Sequence, residues 1–229
     1  MSGERDDLEA LTSFKGKDWR VAKKDDGYYL QAAAFAQLNR ADDVWTSAEA
    51  LITIVNGAAK LDSDEFKPVA PDHVARFHDD GHKDAFIFLS ETLNLTARMG
   101  RPTLLVNGVP QETESWPNLE SWVRLAQRDG NVAEALRIIT SRELNPVNLY
   151  KLYEIVRDDV GNESAMIQRN WATRNQLSAF RRSMNHPAAS GAGARHARME
   201  EDPPTDPMSE DQARAFVRGL LRAWLTAKG

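Results

Sequence analysis

The sequence predicts an α+β protein: a small antiparallel sheet with one covering helix in residues 1–112, followed by an all-α helical bundle in residues 113–229. Three observations predict it. Between residues 19 and 106, short apolar–polar alternations are separated by turn signals, as in strands that bury one face. Within that region residues 42–59 repeat apolar side chains every three or four positions, the period of a helix. From Pro117 onward only the helical period remains, and the polar, turn-prone stretch 108–117 marks the boundary.

The elements follow in order. Residues 1–16 are polar and are expected to fray. Trp19-Arg-Val-Ala-Lys-Lys, then Asp26-Gly27, then Tyr28-Tyr-Leu-Gln-Ala reads as a hairpin, with Asp-Gly supplying the positive φ of a two-residue turn. Val44, Trp45, Ala48, Leu51, Ile52, Val55 and Ala59 form the helical stripe, with Asp42 or Asp43 available as its cap. Residues 66–70, 74–77 and 85–97 read as strands, the last two joined by Asp79-Asp80-Gly81-His82, and residues 103–106 add a short one before Asn107-Gly108. Together they suggest a meandering sheet with the helix on one face.

In the second half, Pro117 suits the first turn of a helix closed by Gly130, and Asn131 caps the next. Asn145-Pro146 opens a third helix that Gly161 ends. Asn162 or Ser164 starts a fourth, with a break near Thr173, which Pro187 stops. Ser209 and Gln212 have capping-box spacing ahead of the stripe Ala213, Phe216, Val217, Leu220, Leu221, Trp224 and Leu225, with Arg214, Arg218 and Arg222 on the opposite side as a solvated face.

Composition narrows the function classes. A hydrophobic fraction of 41% beside 28% charged residues is enough to bury a core. No run approaches the roughly 18 apolar residues of a membrane span, and the acidic start MSGERDDLEA is unlike a signal peptide, so a cytoplasmic protein with no membrane partner is expected. Zero cysteines exclude disulfides, thiolate nucleophiles and cysteine-based zinc sites. The net charge of -5 argues against a dedicated duplex-DNA binder, though a local basic patch still suits a phosphate. No Walker motif, nucleophile elbow or zincin helix is present, and no cofactor is expected.

The candidate site is the basic loop 180–198, FRRSMNHPAASGAGARHAR, which holds four arginines and two histidines and no acidic side chain. Two readings of it are open. In the structural one, Arg181, Arg182 and His186 complement the carbonyl end of a helix, while Arg195 and Arg198 pair with Glu200, Glu201 and Asp202. In the chemical one, Arg181 and Arg182 hold a phosphate and His186 transfers protons, the minimum set for metal-independent RNA cleavage by the ribose 2′-hydroxyl. Asn185, Arg195, His196 and Arg198 would support them, with Gly191-Ala-Gly193 offering backbone N–H groups to an anion.

About five helices with an Arg-x4-His arrangement, Arg181 to His186, before the last one resemble the HEPN superfamily of prokaryotic toxin and defence proteins. The resemblance covers about residues 145–227. It implies a helical bundle that forms a homodimer with the two motifs facing each other, and RNA or a phosphorylated ligand as partner. It also implies an endoribonuclease in bacterial defence or stress response. The family often carries Asn or Asp directly after the arginine, where this chain has Arg182, with Asn185 beside the histidine instead. The chain as a whole, with WRV…DGYYL and SMNHP…GARHAR, also looks like a family of two-domain bacterial proteins that brings no mechanism with it. The alternative is a non-catalytic adaptor that binds a protein or small ligand through the N-terminal domain and dimerises through the helical one. His73, His78 and His82, with Asp79 and Asp80, sit in one hairpin; the odd spacing of His73 and His78 puts them on opposite faces, and no metal is expected there.

Overall fold

In the computed structural model, which describes residues 1–14, 16–24, 27–88, 105–106, 109–110, 116–141, 144–187 and 204–229, the chain divides into two units, Met1–Glu120 and Ser121–Gly229. The protein is α+β, with small antiparallel ladders and one long helix in the first half and a mostly helical second half.

The first residues fold rather than fray. Helix α1 (Arg5–Thr12) has Asp6 and Asp7 in its first turn, where carboxylates complement the helix dipole. It buries Leu8 and Leu11 and packs on strand β1 (Trp19–Lys24), with Phe14 stacked on Trp19 at 4.4 Å. Two apolar residues three apart are too short a stripe to stand out in the sequence, and the packing partner supplies the stability. Strand β2 (Gly27–Ala32) pairs with β1 in the expected hairpin, but Lys24 is opposite Gly27. Gly27 therefore starts the return strand, at a φ of 151° that side chains rarely tolerate, and residues 25–26 between the strands lie outside the described residues.

A 3-10 turn (Ala33–Gln37) leads to α2 (Ala41–Asp62), whose buried residues include Ala48, Ile52, Val55, Ala58 and Ala59. Its N-cap is Arg40, which makes no side-chain cap; Asp42 and Asp43 sit inside the first turn and act through the dipole instead. Residues 66–70, expected as a strand, join no ladder among the described residues beyond a single bridge of Ala70 to Ser2. Both backbone groups of Val69 are taken by the buried Asn56 of α2: Asn56 Nδ2 donates to Val69 O at 2.8 Å, and Val69 N donates to Asn56 Oδ1 at 3.0 Å. Ala70 exchanges backbone bonds with Ser2, and Lys67 N donates to the fully buried Asp7 at 3.2 Å.

Strands β3 (His73–Phe77) and β4 (Lys83–Ile87) form a second hairpin, and β5 (Leu105–Val106), within the expected strand 103–106, pairs antiparallel with β6 (Val109–Pro110), which falls in the stretch expected as polar and turn-prone; residues 107–108 lie outside the described residues. Among the described residues each ladder has two strands, so the meander is drawn as separate hairpins. The continuation of the expected strand 85–97 beyond residue 88 lies outside the described residues.

The helical half follows its sequence signals closely. Helices α3 (Leu119–Ala126), α4 (Gly130–Ile139), α5 (Pro146–Asp159), α6 (Glu163–Gln168), α7 (Arg174–Asn185) and α8 (Glu210–Lys228) appear where the period demands them. Asn145 caps α5 with Pro146 in its first turn, Asn162 caps α6, and Thr173 and Ser209 each close a capping box. The α4 cap is Asp129, not Asn131: its carboxylate accepts from Asn131 N and Val132 N, and Gly130 becomes the first helical residue. Helix α5 is central, with Leu149, Leu152, Tyr153 and Val156 buried and α4, α7 and α8 packed around it.

Gly161, which ends α5, has φ 98° with open space where a Cβ would stand. Gly161→Ala is therefore expected to cost only the backbone strain, about 1 kcal/mol, read as a lower thermal midpoint.

Candidate functional site

The arginines of the basic loop are presented by α7, an amphipathic helix that buries Leu177, Phe180, Ser183 and Met184. Arg181 and Arg182, next to the buried Phe180, are thereby turned outward and are exposed. Along the sequence their neighbourhood is free of acid; in three dimensions it is not. Arg181 Nε donates to Glu163 Oε1 of α6 at 2.9 Å, and the same carboxylate oxygen accepts from the Tyr153 hydroxyl of α5. Burial and the Glu163 carboxylate together push the Tyr153 phenol well above its ordinary range.

His186 is the C-cap of α7, 8% exposed, with its backbone N–H on Arg182 O. Asn185 is half-buried, and its Oδ1 has no hydrogen bond among the described residues. Ser183 is fully buried and its hydroxyl accepts from Met208 N at 2.8 Å, pinning the chain just ahead of the Ser209 cap. Arg195, His196 and Arg198, with Gly191-Ala-Gly193 and residues 200–202, lie outside the described residues.

The arginine face of α8 is not uniformly solvated. Arg214 donates to Glu210, Asp211 and Leu144 O, and Arg222 is exposed. Arg218 is 9% exposed, and burial, with Arg222 nearby, lowers its pKa. It stands three residues before Leu221 and seven before Leu225, on the flank of the apolar stripe.

In the second hairpin His78 Nε2 and His82 Nε2 converge on the two oxygens of Asp84, at 2.8 and 3.1 Å, and all three are exposed. His78 holds the Asp84 carboxyl below its usual range. His73 is separate: it bonds Asp72 and meets Tyr29 edge-on at 5.8 Å.

Sequence reading names no pocket, yet the N-terminal unit has one. A groove of about 470 Å³ is floored by Ala41, Val44, Ala48 and Ile52 of α2 and walled by β2 with the 3-10 turn on one side and β3 on the other. That volume suits a small ligand or a few residues of peptide. Among the described residues no Asp or Glu lines it, while Arg40, His73 and Arg76 do; Arg40 is held by Asp42 at 3.1 Å. The stripe of α2 was legible as a core face, but the gap above it depends on how two hairpins are held apart. Among the described residues, no helix is long and apolar enough to cross a membrane. Comparison with known proteins returns no match to the chain, from family models, curated proteins or solved structures.

Proposed function

We propose that the protein is a non-catalytic binding module whose N-terminal unit takes a partner or ligand in the groove above α2. The groove carries this reading: an apolar floor with a few convergent polar groups is the ordinary form of a binding site. Titration with the fluorescent anion anilinonaphthalene sulfonate tests it. Saturable binding is expected, and Val44→Glu, which sets a carboxylate on the floor, should weaken it about tenfold, roughly 1.4 kcal/mol. Equal binding by wild type and variant removes the reading. Dimerisation through the helical unit, the second half of this proposal, predicts a sedimenting mass twice that of the chain, and a strict monomer refutes it.

A second reading follows from Arg181 and Arg182, which stand exposed on the last turns of α7 beside an Asn185 oxygen without a hydrogen bond. In this HEPN-like reading they grip RNA phosphate, His186 is the general acid/base, and Asn185, Arg195, His196 and Arg198 assist. The burial of His186 and the engagement of Arg181 by Glu163 place it second. Cleavage of single-stranded RNA without metal, abolished by His186→Ala, is the expected result; intact RNA, or cleavage that survives the substitution, excludes it.

A further inference from the structure

The groove is lined edge-on by strands. Four consecutive residues of β2, from Tyr29, and all five of β3 line it, whereas no residue of β1 and only Phe86 of β4 does. Successive side chains of a strand point to opposite faces, so a cavity met by every residue lies along the strand's edge. The hydrogen bonds say which backbone groups face it. Tyr28 O accepts from Met1 N at 2.8 Å, and Ala33 N turns back to Asp18 O. By the alternation of an antiparallel ladder, Leu30 N–H and C=O and Ala32 N–H point away from β1. On the other wall His78 N donates to His82 O, so His73, Ala75 and Phe77 turn their backbone groups away from β4. None of these outward groups has a hydrogen bond among the described residues, although Leu30, Ala32, His73 and Ala75 are only partly exposed.

One end of the same gap already holds extended chain. Met1 reaches Tyr28 on the β2 side, while Ser2 exchanges two backbone bonds of 2.9 Å with Ala70, three residues before β3. Met1 and Ser2 thus link the first hairpin to the segment that enters the second.

We propose that the groove binds an extended peptide whose residues alternate apolar and acidic, which adds as a strand to the free edge of β2, with β3 as the facing wall. The proposal rests on the binding-module reading above and names its ligand class. Main-chain pairing with Leu30 and Ala32 gives the strand its register. Its apolar side chains cover Val44, Ala48 and Ile52, and its carboxylates meet Arg40 and Arg76 in a groove that, among the described residues, no acid lines.

The test uses the full-length protein and three probes: a fluorescein-labelled octapeptide of alternating valine and glutamate, the same peptide N-methylated at alternate amides, and anilinonaphthalene sulfonate. The unmodified peptide is expected to bind at least tenfold more tightly than its N-methylated twin, to slow hydrogen exchange at Leu30 and Ala32, and to weaken about tenfold with Arg76→Glu. Equal binding of the two peptides overturns strand pairing, because side chains alone would then account for it. Binding of the sulfonate but of neither peptide overturns the peptide assignment and leaves the groove as a small-ligand site; binding of none removes the parent reading as well. Slow exchange at Leu30 in the protein without peptide shows the edge already paired within the chain, and also overturns it.

Discussion

Replacing Asn56 with leucine is expected to destabilise the N-terminal unit by about 2–5 kcal/mol, since it strands the N–H and C=O of Val69 in a buried site. The size of the side chain is nearly conserved, so the loss is one of hydrogen bonding rather than volume. Asn56 acts as a piece of strand: its amide offers one donor and one acceptor to a backbone that has no ladder partner at Val69. Asn56→Asp should be as damaging, because it keeps the acceptor for Val69 N but sets a carboxylate oxygen against Val69 O. The measurement is the denaturation midpoint together with hydrogen exchange at Val69, which should speed up in both variants. An unchanged midpoint would mean that residues 66–70 are held by other means. The groove should suffer with the fold, because the Asn56 clasp and the Ser2 bridge fix the segment that leads into β3.

The helical unit has a comparable clasp of charges, and Asp159→Ala is expected to cost it about 2–4 kcal/mol. Asp159, in the last turn of α5, accepts from Trp224 Nε1 at 2.8 Å, from Lys228 Nζ at 2.7 Å and from Asn131 Nδ2 at 3.1 Å. Lys228 also reaches Asp129, the α4 cap, at 2.6 Å. One carboxylate therefore joins the start of α4 and the ends of α5 and α8. Its removal leaves the indole N–H of a fully buried tryptophan without its acceptor. The side chains of Asp159, Lys228 and Asp129 are 17%, 23% and 27% exposed, so the charges are partly screened, which keeps the expected loss below that of a fully buried pair.

The same groups give the pH dependence. Burial pushes the Asp159 carboxyl up, but the bonds from Lys228, Trp224 and Asn131 outweigh it and hold the group below its ordinary value; the Lys228 ammonium, first of all, lowers Asp129. A carboxyl depressed in the folded state contributes stability above its unfolded value near 3.9, and that contribution is lost as pH falls through the folded value. For Lys228 burial opposes the charge, yet the two carboxylates raise its pKa, so its contribution holds below about 10.4 and is lost as pH rises through the folded value. Acid unfolding of the helical unit should accordingly steepen below about pH 4. In Asp159→Ala that limb should be shallower; a limb of unchanged slope would exclude Asp159 as its source.

What the sequence by itself determined is what neighbours along the chain decide. The caps Asn145, Asn162 and Ser209, the hairpins of β1 with β2 and β3 with β4, the end of α5 at Gly161 and the stripe of α8 each depend on side chains within about one turn of the backbone they serve. Differences of that kind were one or two positions wide, as at Gly27 and at Asp129 in place of Asn131, because nearby residues offered nearly equal chemistry. Only the tertiary structure decided which distant groups meet. Glu163 lies 18 positions before Arg181, Asn56 lies 13 before Val69, and Asp7 lies 60 before Lys67. The first pairing puts a carboxylate into a region that is basic in sequence, and the other two hold residues 66–70, which have no ladder among the described residues. The groove has the same origin. Its floor was written as a helical stripe, but a cavity is the space between elements, set by how far packing holds β2 from β3, and no local pattern encodes that distance.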